Sequence, residues 1–175
     1  RVLEDAIEAL HRLSHRGACG CEANTGDGAG ILTAIPHDFL ARAARDYLQS
    51  DLPEPGRYGV GMVFLPTNDS ERRRCKDAVA QIVADQGQHL LGWRPVPVDA
   101  DRADIGTTAR QGEPAIEQLF IAADNAFDQE AFERQLFVIR KHVSHRLRSD
   151  ESLAEAKMFY VCSLSTKVIV YKGML

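Results

Sequence analysis

The amino-acid sequence predicts a mixed domain in which helices and strands alternate and the last two strands follow one another directly. Three observations carry this. Apolar residues recur at helical spacing in several segments, and short apolar runs bounded by Gly, Pro or Asn separate them. Ser165-Thr166 then breaks the final apolar stretch in two. The middle of the chain therefore reads as βαβ-like and its end as a hairpin.

In order along the chain, Val2, Leu3, Ala6, Leu10 and Leu13 form one face of a helix over about 2–14. A glycine-rich loop extends to Gly30, and Ile31 to Ile35 is a strand ended by Pro36. Pro36-His37-Asp38 opens a second helix, whose apolar side is Phe39, Leu40, Ala43, Ala44, Tyr47 and Leu48. Asp51 to Gly56, with two prolines, is a turn. Tyr58 to Leu65 is a buried strand in which Gly59 and Gly61 permit close backbone approach. Asn68, with Glu71 three residues on, has the form of a capping box, opening a helix to about Asp85.

Leu90 to Val98 is a strand whose prolines favour a sheet edge. Residues 99–114, rich in Asp, Arg, Gly and Thr, read as an exposed loop, and Ile116 to Ala122 as another strand. Phe127, Asp128 and Phe132 fit a cap flanked by a hydrophobic staple, and that helix runs on through Leu136, Phe137, Ile139 and Val143. Met158 to Leu164 and Lys167 to Tyr171 complete the predicted hairpin.

The 175 residues carry 21 Lys and Arg against 25 Asp and Glu, a net charge of −4, with 45% apolar and 26% charged residues. This is ordinary globular composition, long enough for one core. It excludes disordered, fibrous and helical membrane-spanning classes, and mild acidity gives no global attraction to nucleic acid. No charged-then-apolar leader stands at the start. A helical pattern beginning at residue 1 and a close on apolar residues read as an internal fragment.

Cys19, Cys21, Cys75 and Cys162 lack the paired spacing of a zinc site and suit free thiols in a cytoplasmic protein. The densest signal is the segment His15 to Ile31, with glycines at 17, 20, 26, 28 and 30. A tight helix-to-strand connection explains them, since glycine permits positive φ and close approach. Phosphate cradling is a sharper reading, but a dinucleotide fingerprint follows a strand and opens a helix, the reverse of the order here. Calcium binding by Glu22, Asn24 and Asp27 lacks the EF-hand order. A third reading is an active-site wall, in which Arg16 fixes a carboxylate and the Gly17 carbonyl holds an amine.

His11 and His15 have metal-ligand spacing without a third ligand, and read as a surface pair. His142 and His145 lie in a basic segment that complements a helix C-terminus. Arg72-Arg73-Arg74 reads as a solvated helix start, and Trp93 as core.

His15-Arg16-Gly17-Ala18, followed by Ala23-Asn24-Thr25-Gly26-Asp27-Gly28-Ala29-Gly30-Ile31, resembles the class II glutamine amidotransferase domain of glutamate synthase large subunits. Phe159 to Ser165 and Val170 to Leu175 resemble a later part of the same domain, in the correct order. Cys19, Cys21 and Glu22 stand where small apolar residues and Asp are more usual. The resemblance implies an α+β, N-terminal-nucleophile hydrolase fold of four αββα layers, incomplete at both ends. Residues 1–175 would form part of a single amidotransferase domain that lacks its nucleophile strand and its later substrate and oxyanion segments.

The implied reaction is glutamine hydrolysis to glutamate and ammonia, with the ammonia channelled to 2-oxoglutarate for reductive formation of a second glutamate. The nucleophile is an N-terminal cysteine expected upstream of Arg1, its own α-amine serving as base. Within this sequence the resemblance assigns only Arg16 and Gly17, as a border of that pocket. FMN and an iron–sulfur cluster belong by resemblance to later domains, and none is expected in this segment. The implied partners are L-glutamine, the remaining domains, and an electron-donating small subunit or ferredoxin, with no nucleic acid or membrane. The polypeptide alone is expected to be inactive. The alternative is a catalytically silent amidotransferase-like domain with a regulatory or assembly role.

Overall fold

A computed structural model describes residues 1–12, 28–103, 105–124 and 128–173. The chain divides into two compact units: Arg1–Ile31, Val98–Glu113 and Tyr171–Leu175 form one, and Leu32–Pro97 and Pro114–Val170 the other.

In the larger unit, β2 (Tyr58–Leu65), β3 (His89–Pro95), β4 (Ala115–Ala122) and β5 (Tyr160–Ser165) form one sheet in the order β3-β4-β2-β5. Every neighbouring pair is antiparallel. The predicted βαβ reading of the middle is therefore corrected. Helix α3 (Asp69–Asp85) joins β2 to β3, but β4 lies between them. Helix α5 (Gln129–Arg148) joins β4 to β5, but β2 lies between those. Two interleaved crossovers give a β-α-β-β-α-β unit of the split kind, antiparallel although both its connections are helical.

Both helices pack on one face of this sheet. Phe132, Leu136, Ile139, Val143 and Leu147 of α5 recur every three to four residues and are buried with Val79, Ile82 and Val83 of α3. They meet Val63 and Leu65, Leu119 and Ile121, and Val161, alternate residues of three strands. Gly59 shares the face of Val63 and Leu65, and a Cβ there would fall 2.5 Å from Leu136 Cδ1. The missing side chain is what lets α5 approach the sheet, as the strand pattern predicted. On the opposite face Tyr58, Val60, Met62, Gln118 and Phe120 are also buried.

Caps fix the helix starts. Asn68 Oδ1 accepts from the Ser70 and Glu71 amides, at 2.9 and 3.1 Å, and Asp128 Oδ1 accepts from Glu130 N at 3.0 Å. The predicted capping box is only half local. Glu71 accepts from the amides of Ala154 and Glu155, while Glu155 Oε2 accepts from Asn68 N. Each carboxylate caps the other's segment, clasping α3 to the chain before β5. Phe127, the outer half of the predicted staple, lies outside the described residues.

Helix α2 (His37–Leu48) buries Leu40, Ala43 and Ala44 and packs on β3. Pro36 occupies its cap and left-handed Gln49 ends it. Phe39 and Tyr47 of its predicted apolar side remain 43% and 53% exposed, as does Phe137 of α5 at 57%. Helical spacing placed them correctly along the chain but could not tell how wide the covering surface is. β3 lies at the sheet edge, as its prolines predicted.

The predicted terminal hairpin is overturned. β5 pairs with β2, whereas β6 (Val168–Gly173) pairs with β1 (Ala29–Ala34) in a separate two-stranded sheet. The turn is shaped by side chains that divert the chain. Ser165 Oγ accepts from Lys167 N at 3.0 Å, and Ser163 Oγ accepts from Val170 N at 3.1 Å. A Glu133 oxygen on α5 accepts from Ser165 Oγ at 3.0 Å and from both the amide and hydroxyl of Thr166.

The smaller unit contains α1 (Val2–Arg12), with Glu4 and Asp5 in its first turn and His11 and Arg12 in its last. Within the predicted loop 99–114, a short α4 (Thr107–Gln111) forms, and Arg110 fastens it to Asp101 at 2.7 Å and to the Ala100 carbonyl at 3.0 Å. Among the described residues no helix is long and apolar enough to cross a membrane.

Candidate functional site

The site that the sequence nominates is the connection between α1 and β1. Arg16 and Gly17 lie outside the described residues, as do His15, Cys19, Cys21, Glu22, Asn24 and Asp27. The elements on either side are described. A helix precedes the loop and a strand follows it, the reverse of what a dinucleotide fingerprint needs. Gly28 adopts φ 88°, a left-handed conformation suited to glycine. At Gly30 a Cβ would stand 3.2 Å from the Tyr171 carbonyl oxygen, so this glycine serves the close pairing of β1 with β6. Two of the five glycines thus have backbone reasons at the strand end of the loop.

The described cysteines are free thiols without the setting of a nucleophile. Cys75 is buried in α3, where burial, reinforced by Glu71, pushes its thiol up to about 11. Cys162 is half-buried within β5, where its amine is a peptide nitrogen. Neither can supply the free α-amine that a self-activating N-terminal nucleophile uses as base. No group of three or more His, Cys, Asp or Glu side chains among the described residues is placed to hold a metal ion.

His11 is exposed on α1, and its predicted companion His15 lies outside the described residues. His142 and His145 are exposed on α5, whose last turn is basic. The neighbouring cations lie against the protein's own surface: Arg140 donates to the Cys162 carbonyl at 3.3 Å, Lys141 lies over Phe137 and Arg148 over Tyr160. The Arg72-Arg73-Arg74 run is not simply solvated. Arg72 pairs with Asp69, and Arg74 donates to Ser152 Oγ at 2.5 Å and to Asp150, because α3 begins beside the segment leading to β5. Trp93 is partly buried against the core, with Lys76 Nζ 5.3 Å from its ring centroid.

Three polar arrangements escaped the sequence reading. Glu117, buried in β4, pairs with Lys76 at 2.5 Å. Arg94 and Gln118 form a buried hydrogen bond of 2.8 Å between β3 and β4. Tyr58, fully buried, shares a hydrogen bond of 3.1 Å with His37 Nδ1, and burial pushes its phenol up to about 12. The available signal was Glu117-Gln118 inside an otherwise apolar strand, where polar side chains need partners.

Comparison with known proteins supplies what the described geometry does not. A family model described as "Glutamine amidotransferases class-II" matches residues 1–175. The chain is 39% identical over 175 residues to the glutamate synthase [NADPH] large chain of Bacillus subtilis, covering 99% of this chain and 11% of that protein. It is 37% identical over 173 residues to ferredoxin-dependent glutamate synthase 2 of Synechocystis, covering 99% of this chain and 10% of that protein. Over 181 residues it is 36% identical to the glutamate synthase [NADH] of Schizosaccharomyces pombe, covering all of this chain and 8% of that protein. The chain thus spans about a tenth of the length of these relatives. A match from the first residue to the last, joined to an α+β architecture built on antiparallel sheets, establishes that the chain belongs to the class-II glutamine amidotransferase family.

Proposed function

We propose that these residues are the glutaminase portion of a glutamate synthase large subunit, hydrolysing L-glutamine to glutamate and ammonia. The observation that carries this reading is the family match over residues 1–175, together with relatives that are all named as glutamate synthases. Nothing favours the silent-domain alternative. In the full protein the ammonia would pass to 2-oxoglutarate and form a second glutamate by reductive amination. The electron donor would be a small subunit or ferredoxin, in keeping with the relatives' names.

The proposed nucleophile is an N-terminal cysteine outside these 175 residues. Its α-amine would take the thiol proton, and the thiolate would attack the glutamine amide carbon. Hydrogen-bond donors on segments outside the chain would then stabilise the oxyanion. Arg16 and Gly17 would border this pocket, the guanidinium fixing a carboxylate and the Gly17 carbonyl accepting from the nucleophile's amino end. We assign the sheet β3-β4-β2-β5 and helices α3 and α5 to one sheet layer and one helical layer of a four-layer αββα arrangement, with β1 and β6 in the second sheet. The described cysteines, Cys75 on α3 and Cys162 on β5, do not have the grouped spacing of an iron–sulfur cluster. FMN and the cluster, which supply the reductive chemistry when bound, belong to other parts of the subunit. Free thiols at Cys75 and Cys162 suit a reducing compartment such as the cytoplasm.

A glutaminase assay tests the reading. The 175-residue polypeptide is expected to show no turnover above background, and the complete protein to release ammonia from glutamine. In the complete protein, Arg16→Ala should lower kcat/KM by about tenfold or more, the loss of a charged hydrogen bond. Turnover by the 175 residues that disappears on Cys162→Ser would overturn the assignment of the nucleophile. A complete protein without glutaminase activity would support the silent domain instead.

A further inference from the structure

Arg94 is the one arginine in the buried set of the described residues, 7% exposed on the edge strand β3. A guanidinium offers five N–H donors and keeps its charge at every ordinary pH. Among the described residues it donates one hydrogen bond, to Gln118 Oε1, and its Nε is buried with no acceptor. No described carboxylate forms an ion pair with it. Its Cζ lies over the rings of Phe39, at 5.5 Å, and Tyr47, at 5.4 Å. Aromatic faces and a neutral amide do not repay the desolvation of a full charge, for which a paired carboxylate is the usual partner.

The surroundings point outward. Phe39 and Tyr47 are eight residues apart on α2 and about half exposed, so the guanidinium they flank lies just beneath the surface. β4 pairs with β3 along only one side, leaving the other edge without a strand partner. A cation held by a fully buried amide, walled by two half-exposed rings and short of acceptors, is a receptor lacking its anion. The paired in-plane donors of a guanidinium match the two oxygens of a carboxylate.

We propose that Arg94, held by Gln118 and walled by Phe39 and Tyr47, binds a carboxylate at the β3 edge. The site is independent of the glutaminase reading and lies on elements to which that reading gives no chemical role. The carboxylate is either a free small acid or an Asp or Glu side chain of the complete protein.

The test uses the complete protein and titrates acetate, with chloride at matched ionic strength as baseline and phosphate as competitor. A free-ligand site gives a saturable rise in thermal midpoint with acetate. That rise is lost in Arg94→Gln, and in Arg94→Lys it needs about tenfold more acetate, because the paired donor geometry is gone. If acetate has no effect, the pH dependence of Arg94→Met decides the source. A carboxylate orphaned by that change is protonated, and so relieved, as pH falls, whereas the lost amide and ring contacts do not depend on pH. A stability deficit that shrinks from about pH 7 to about pH 4 reveals an Asp or Glu of the protein itself. No acetate response with a deficit that does not change with pH overturns the proposal. So does an acetate response that survives Arg94→Gln, or a stronger response to phosphate than to acetate.

Discussion

Replacing Glu133 by alanine removes the acceptor that shapes the turn between the two sheets. One carboxylate oxygen accepts from the Ser165 hydroxyl, the Thr166 amide and the Thr166 hydroxyl. Thr166 is buried, so its two donors cannot simply turn to water. A hydrogen bond to a charged group contributes about 1.5–3 kcal/mol, and a buried donor left unpaired costs about 1–3 kcal/mol. The three bonds share one acceptor and are not additive. Exposure of Ser165 to partial solvation reduces its share, so we expect Glu133→Ala to cost about 2–4 kcal/mol. Glu133→Gln retains a carbonyl acceptor without the charge and should cost about 1 kcal/mol. Urea denaturation measures this as a lower midpoint with an unchanged m value. Hydrogen exchange at the Thr166 amide should accelerate in parallel. A loss below about 0.5 kcal/mol for Glu133→Ala, the range of featureless surface sites, would refute the idea that this carboxylate holds the turn.

Gly59→Ala drives a methyl into Leu136, and should cost about 1–3 kcal/mol by overpacking; denaturation of the Gly59→Ala, Leu136→Ala double variant should show the two changes to be non-additive. Asn68→Ala deprives two amides at the start of α3 of their acceptor and should lower stability by about 1 kcal/mol, read from the same denaturation curve. Alkaline stability should fall in two overlapping steps. The folded pKa values of Cys75 and Tyr58 are raised, from 9.0 to about 11 and from 10.0 to about 12, so their stabilising effect is whole below the unfolded values. It is lost as pH rises through about 9 to 11 for the thiol and about 10 to 12 for the phenol. Denaturation midpoints across pH 8 to 12, compared with Tyr58→Phe, separate the steps: the variant should retain only the lower one.

Local signals carried much of this fold. Tyr58–Leu65 was readable as a strand to its last residue, Asn68 as the cap of α3, and the prolines near Pro95 as an edge. These depend on neighbours within a few positions. Strand pairing does not, and there the reading failed. Nothing near Ser165 says that β5 seeks β2 while β6 seeks β1, because Glu133 and the distant strands decide it. Arg94 gave a similar blind spot: one arginine in a strand says nothing of burial until Gln118 and α2 are in place. Of the nominated pocket, Arg16 and Gly17 rest on the loop's residue types and on the resemblance, and both lie outside the described residues. Glycine spacing constrains the backbone but does not specify the nucleophile it would serve.

The interleaved sheet also sets a schedule for the nascent chain. β2 is made first among its four strands, yet Val60 must wait for Phe120 on one side and Ser165 on the other. Until Ser165 emerges, a strongly apolar strand has an open edge, and pairings so distant in sequence slow folding and favour aggregation. Codon changes that alter the rate of synthesis between Leu65 and Ser165 should therefore change soluble yield more than the same changes placed before Tyr58.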